Sequence, residues 1–154
     1  MSRHFPRDLR DELDELLRSS PLLITMGIEL VSWLPGSATV KMTPTPEQGN
    51  LAGSVHGGVM FTLADAAFEA ACNSYGRLAV ALETSVHYSR PPKVHEPLTA
   101  GASEIARTRR TASYKIDVRD PNGDLCAWYM ALAYRTETWH LGAERWPEEW
   151  RSAH

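Results

Sequence analysis

Residues 53–71 read GSVHGGVMFTLADAAFEAA, two adjacent glycines followed by small and apolar residues that surround one carboxylate, Asp65. The run predicts a helix from about residue 57 to residue 75, with Gly76 placed where a glycine often ends a helix. Its alanines would let a curved sheet approach closely. An ionised carboxylate is costly to desolvate, so Asp65 lies either on an exposed face or in a site that uses its charge.

The segments around this helix have the composition of β-strands. Two predicted strands precede it and four follow it, at residues 28–33, 37–42, 78–89, 98–106, 111–119 and 125–136. Short β-rich segments joined by tight turns favour an antiparallel sheet. We therefore expect an α+β fold in which five to six strands wrap around one long central helix.

The two ends of the chain differ from this core. Leucines at helical spacing among charges predict an amphipathic helix over residues 6–20, which Pro21 limits. Residues 137–154 carry three tryptophans among charges, which indicates a surface extension or a packing arm without assigned chemistry. A single domain over residues 1–154 is expected, with its core at about 22–136.

Composition narrows the class of protein. The chain has 154 residues and a net charge of −3, whereas nucleic-acid binders carry a basic excess. No apolar run approaches the ~20 residues that span a membrane, and the N-terminus lacks the apolar segment of a signal peptide. Two cysteines without C-x-x-C spacing favour a reduced, cytoplasmic setting. The six histidines lack tight ligand spacing, so no metal is expected.

Six short motifs form a pattern across the core. They are Asn50, HGG at 56–58, LADAAF at 63–68, ACNS at 71–74, HYSRP at 87–91 and RRTASY at 109–114. The pattern resembles the hotdog-fold acyl-CoA thioesterases, in particular the PaaI type of phenylacetate degradation. The resemblance implies hydrolysis of acyl-CoA thioesters, often with aromatic acyl groups, by a homodimer or homotetramer. It implies no cofactor, since coenzyme A is part of the substrate.

Thioester hydrolysis needs a nucleophile or an activated water, and donors aimed at the developing oxyanion. Gly57 and Gly58 begin the predicted helix, where unpaired N–H groups and the helix dipole favour negative charge. Without side chains they also let a ligand approach closely. By resemblance, the Gly57 N–H polarises the thioester carbonyl and Asp65 acts as nucleophile or general base.

The spacing of these two residues bears on the assembly. Eight residues separate Gly57 from Asp65, which is ~12 Å along a helix axis. Both groups must lie within ~3.5 Å of one reacting carbonyl, so a single helix cannot easily supply both. Two antiparallel helices from two chains can, which predicts a dimer with two composite sites.

Three further positions keep alternative interpretations. By resemblance His56 holds the loop or contacts the thioester region, and the alternative is a helix cap. Asn50 either orients water or the substrate carbonyl, or forms a turn. Glu69 lies four residues after Asp65, on the same helical face. Glu69 either raises one carboxyl pKa by repulsion or is solvated or hydrogen-bonded at the rim. In the family that the chain resembles, this position is often small and apolar, so Glu69 would reshape the acyl pocket.

Positive charges should border a site that binds the phosphates of coenzyme A. Arg107, Arg109 and Arg110 form the densest group, and Arg90 follows another strand; solvated turns are the alternative for all four. Relatives often carry Ser or Thr on the strand after the helix, where this chain has Ala81. Two rival functions remain, a non-catalytic acyl-CoA sensor and an acyl dehydratase of the same fold.

Overall fold

The central helix and the sheet around it dominate the computed structural model, which describes residues 5–154. The helices are α1 (Arg7–Arg18), α2 (Pro21–Met26), α3 (Gly57–Asn73) and α4 (Glu148–Ala153). The strands are β1 (Glu29–Leu34), β2 (Ser37–Met42), β3 (Arg77–Tyr88), β4 (Leu98–Arg107), β5 (Thr111–Arg119) and β6 (Leu125–Trp139). They form one antiparallel sheet in the order β1-β2-β4-β5-β6-β3.

Helix α3 packs on the inner face of this sheet. Its alanines and Leu63 are buried, and Phe68 meets the ring of Tyr114 edge-on at 5.4 Å between centroids. Along β5 the buried residues alternate with more exposed ones. The α+β hotdog architecture is therefore confirmed. Within residues 5–154, no helix has the length and apolar character to span a membrane.

The helix boundaries differ from the predicted ones in two places. Pro21 was expected only to limit the first helix, but it begins α2, because proline suits the first turn of a helix. Gly27, at φ 66°, then ends α2 in the left-handed conformation. Helix α3 ends at Asn73 rather than residue 75, and the left-handed Gly76 redirects the chain into β3.

The C-terminal segment packs onto the end of α3. Trp146 and Trp150 are buried, and the Trp150 indole N–H donates to the Tyr75 carbonyl at 2.9 Å. A Cβ on Gly76 would lie 2.0 Å from the Trp146 ring, so this contact needs glycine. Of the two alternatives for this segment, the structure shows the packing arm.

Strand β3 lies at one edge of the sheet and, among the strands of the described residues, pairs only with β6. Its exposed apolar side chains are Val80, Leu82, Val86 and Tyr88. The pairing shifts by one residue between Ala81 and Glu83, which is a β-bulge at Leu82. A twelve-residue strand with one unpaired apolar edge is a surface that favours pairing with another chain.

Candidate active site

Asp65 lies in the middle of α3, half-buried, at the wall of a cavity of about 450 Å³. The cavity is enclosed by α1 and α2, the second half of α3 and the first residues of β3. No hydrogen bond or ion pair within residues 5–154 involves the Asp65 carboxylate. Burial raises the pKa of this carboxyl group. A half-buried carboxylate without a partner, facing a cavity, has the character of a functional group.

Glu69 lies on the wall of the same cavity, one turn further along α3. Its Oε2 accepts a hydrogen bond of 2.9 Å from the Ser20 hydroxyl, which joins α3 to the start of α2. The raised pKa of Asp65 has burial as its cause, not repulsion by Glu69. The geometry therefore matches the interpretation of Glu69 as a hydrogen-bonded residue at the rim of this cavity.

His140 and Asn73 close the far end of this cavity. Asn73 Oδ1 already accepts from the Ala79 N–H at 3.0 Å, so the His140 Nε2, 2.8 Å away, is the donor. Burial lowers the pKa of His140, which favours the neutral ring over the charged one. Cys72 is buried beside them, and its pKa is raised by burial and by Glu69 and Asp65, which makes the thiol a poor nucleophile.

Thr84 on β3 is a site residue that sequence reasoning missed. It lines a small space against Asp65, Phe61 and Tyr129. Strict alternation from Ala81 would turn residue 83 inward and residue 84 outward. The bulge at Leu82 reverses this, because Thr84 pairs with Ala131 on the inner face. The β3 hydroxyl that lies beside Asp65 is therefore that of Thr84, three residues beyond Ala81, where a Ser or Thr was expected.

The N-terminus of α3 is built around His56 and the two glycines. His56 is the N-cap residue, and its Nδ1 accepts a 2.9 Å hydrogen bond from the Gly58 N–H. A Cβ at Gly58 would lie 3.1 Å from that nitrogen, so the cap favours glycine. The Gly57 N–H makes no hydrogen bond within the described chain, and this leaves it available to an acceptor.

Asn50 orders the loop that leads to this helix. Its Oδ1 accepts from the N–H groups of Ala52, at 2.9 Å, and Ser54, at 3.1 Å. This is the turn-forming arrangement, and the side-chain amide NH₂ is the part that can contact a ligand. His56 and Asn50 thus both adopt the structural alternatives, while each retains a polar atom for a substrate.

The basic residues lie at two opposite ends of the sheet. Arg90 pairs with Asp124, and its N–H donates to the Cys126 carbonyl. At the other end, the Arg110 carbonyl accepts from the backbone N–H of Arg135. Arg135 is nine residues beyond Cys126 on β6, so the two ends are ~30 Å apart. One phosphate cannot contact Arg90 and the β4–β5 turn within one protomer. Arg109 in that turn pairs with Glu137 at 3.3 Å, and both side chains are exposed.

No group of three His, Cys, Asp or Glu side chains in the described part of the chain is arranged to hold a metal ion.

Comparison with known proteins gives consistent results. Residues 52–127 match the model of the Thioesterase superfamily. The chain is 36% identical to acyl-coenzyme A thioesterase PaaI of Escherichia coli K12 over 110 residues, which are 71% of this chain and 79% of that protein. The structure of the E. coli PaaI protein from the phenylacetic acid degradation operon superposes with a TM-score of 0.81 at 30% identity, covering 85% of this chain and 95% of that one. The TT0310 protein of Thermus thermophilus gives a TM-score of 0.73 at 34% identity, covering 76% and 98%.

Proposed function

The chain belongs to the Thioesterase superfamily and is an acyl-CoA thioesterase of the hotdog-fold PaaI type, and on that premise we propose how it selects and cleaves its substrate. The single observation that carries the mechanism is the half-buried carboxylate of Asp65, which faces a cavity without a hydrogen-bond or ionic partner among residues 5–154. The substrate would carry an aromatic acyl group of the phenylacetyl or benzoyl type, and the reaction would use no cofactor.

Asp65, when ionised, either takes a proton from water that attacks the thioester carbon or attacks that carbon itself. In both cases the carbonyl oxygen gains negative charge, and the unpaired Gly57 N–H at the helix N-terminus stabilises it. The leaving thiol has a pKa near ~8.5 by analogy with cysteine, so it leaves as a thiolate without a strong general acid. In this proposal the Thr84 hydroxyl, which lines a small space with Asp65, orients the attacking group.

The two groups belong to different protomers in this proposal. They lie eight residues, or ~12 Å, apart on α3, so one protomer cannot aim both at one carbonyl. A C2 dimer formed along the unpaired edge of β3 would bring two α3 helices together in antiparallel orientation. The exposed apolar residues of that edge support this assembly, and two such dimers can associate further.

The acyl group is proposed from the cavity beside Asp65. Its volume of about 450 Å³ lies within the range of small-molecule sites, and Leu16, Leu23 and Phe68 supply apolar wall. Glu69 and Ser20 at its rim would suit an acyl group with a polar ring substituent. Both cysteines are free and buried, and a cytoplasmic location stays a prediction.

A thiol-release assay over a panel of acyl-CoAs tests the substrate. We expect the highest kcat/KM for phenylacetyl-CoA or benzoyl-CoA and lower values for short and long aliphatic thioesters. Binding without turnover across the whole panel would instead support an acyl-CoA sensor.

Leu82→Lys tests the assembly, with Leu22→Lys as an exposed apolar control outside β3. The β3 variant should sediment as a monomer without activity, since charge on an edge strand opposes pairing. A fully active monomer would contradict the composite site.

A further inference from the structure

A second cavity, of about 580 Å³, lies at the end of the sheet where β3 begins. Five arginines line it, one from each of five segments of the chain: Arg77, Arg107, Arg109, Arg135 and Arg151. Two of them pair with side-chain carboxylates, Arg107 with Glu104 at 3.5 Å and Arg109 with Glu137 at 3.3 Å. This concentration of positive charge stands in a chain whose net charge is −3.

Arg135 shows that the cavity is more than a solvated turn. It projects from the inner face of β6 and is only 5% exposed. Its Nη1 donates to the Thr108 carbonyl at 2.6 Å, whereas its Nη2 is buried and has no hydrogen-bond partner among residues 5–154. A buried guanidinium N–H without an acceptor is costly, because desolvation of a charged group is uncompensated.

Two neighbouring arginines also contact main-chain and ring acceptors. Arg77 donates to the main-chain oxygens of Thr136, Arg135 and His154. Arg107 donates to His154 Nδ1 at 2.7 Å and lies over the Tyr75 ring. Burial, followed by the charges of Arg77 and Arg107, lowers the pKa of Arg135 to about 10, so it remains charged at neutral pH.

We propose that this arginine cavity is a binding site for a phosphate group, with the buried Nη2 of Arg135 as one donor. Guanidinium groups match phosphate oxygens in planar, paired geometry, and several of them can share one dianion. The volume exceeds what a single phosphate fills, which leaves room for the molecule that carries it.

The phosphate can come from two sources. Arg77 directly precedes Leu78–Ala81, the β3 residues that line the cavity of Asp65, so the two cavities are neighbours along one strand. A phosphate of the bound coenzyme A is one source, and in that form the inference rests on the proposed function. A free phosphate or phosphomonoester is the other, and it does not depend on catalysis.

Isothermal titration calorimetry with inorganic pyrophosphate tests the site without any assay of activity. At low ionic strength we expect one binding event per chain that weakens as salt is added. Arg109→Ala and Arg151→Ala should each weaken it about tenfold, the effect of losing one charged hydrogen bond. Both residues are exposed, so these variants should fold; Arg135→Gln should abolish binding if circular dichroism shows it folded.

Arg119→Ala is the matched control, because Arg119 is an exposed arginine that pairs with Asp117 at the other end of β5. It should bind pyrophosphate as the unchanged protein does. Absence of binding at millimolar pyrophosphate, or equal weakening in Arg119→Ala, would overturn the proposal.

Kinetics with paired substrates identifies the source once pyrophosphate binding is established. If the site holds the 3′-phosphate of coenzyme A, Arg109→Ala raises KM for the CoA thioester about tenfold and leaves KM for the dephospho-CoA thioester unchanged. Pyrophosphate then competes with the CoA thioester. If the ligand is a free phosphate, both KM values stay unchanged and pyrophosphate still binds in saturating coenzyme A. Loss of turnover with retained pyrophosphate binding would refute the proposed function and leave this site standing.

Discussion

The Tyr88 hydroxyl donates a hydrogen bond of 3.0 Å to the Gly57 carbonyl oxygen, which joins the end of the edge strand β3 to the first residue of the central helix. The same ring occupies the space that a side chain at position 57 would need, because a Cβ there would lie 3.2 Å from the ring. The start of α3 and the end of β3 are therefore positioned as one unit.

Gly57→Ala should lower kcat by about tenfold or more, since loss of one oxyanion donor costs ~10²–10³ and the ring contact displaces this one. Thiol release under saturating substrate measures it. Gly101→Ala is the control, because a Cβ at Gly101 meets no atom of residues 5–154 within 4 Å. Unchanged kcat in Gly57→Ala would argue against Gly57 as the oxyanion donor.

Asp65→Asn should reduce kcat by about 10²-fold or more, the range found for loss of a general base. The asparagine keeps the shape of the side chain and removes its basicity. Glu69→Gln is the matched control on the same helical face, and it should retain most of kcat because Glu69 acts through Ser20 at the rim. Equal losses in the two variants would assign the chemistry to the pair and not to Asp65.

The pH dependence of kcat/KM should show an acid limb that reports Asp65. Burial raises the pKa of this carboxyl, so activity should fall below a pKa that lies above the ordinary ~4 of aspartate. Residual activity in Asp65→Asn should lack that limb. A limb at or below pH ~4 in the unchanged protein would show that the carboxylate gains a positive partner in the working assembly.

Asp65→Asn should also raise the free energy of unfolding at neutral pH. The folded-state pKa is raised above the unfolded value, so the native state binds more protons between the two values. Stability therefore falls as pH rises through that window and stays lower above it. Asparagine has no such penalty, and thermal unfolding at pH 7 should give a higher Tm, with the gain absent at acidic pH. A lower Tm at pH 7 would contradict this.

His56→Ala should lower the free energy of unfolding by about 1 kcal/mol, because the Gly58 N–H loses the acceptor that caps α3. His56→Asn should restore most of it, since asparagine is a good N-cap. Urea denaturation measures both variants. If asparagine were as destabilising as alanine, the histidine ring would have a role in folding other than the cap.

The sequence predicted the large features of this fold because they depend on local patterns. The bounds of β2 and β5 were predicted to the residue, since turn residues bracket each alternating run. Helix α2 was missed because Pro21 was interpreted as a stop, although a proline serves equally at a helix start.

The site residues were predictable only where a motif carries them. Asp65 and Gly57 follow from the helix and its motif. Thr84 could not be predicted, because no motif or turn residue in the sequence of β3 indicates the bulge at Leu82. The arginine cavity could not be predicted either. Arg135 lies on the last strand and Arg151 in the C-terminal segment, so only tertiary packing brings them close to Arg77.

The single extra residue at Leu82 exchanges the two faces of β3 for every residue that follows it. Before it, odd-numbered residues from Ala79 face the helix; after it, even-numbered ones do. Without that shift, Glu83 would turn inward and place a second carboxylate against Asp65, where two like charges would compete for one proton. The bulge thus decides that the acid in the helix faces a hydroxyl and not another acid.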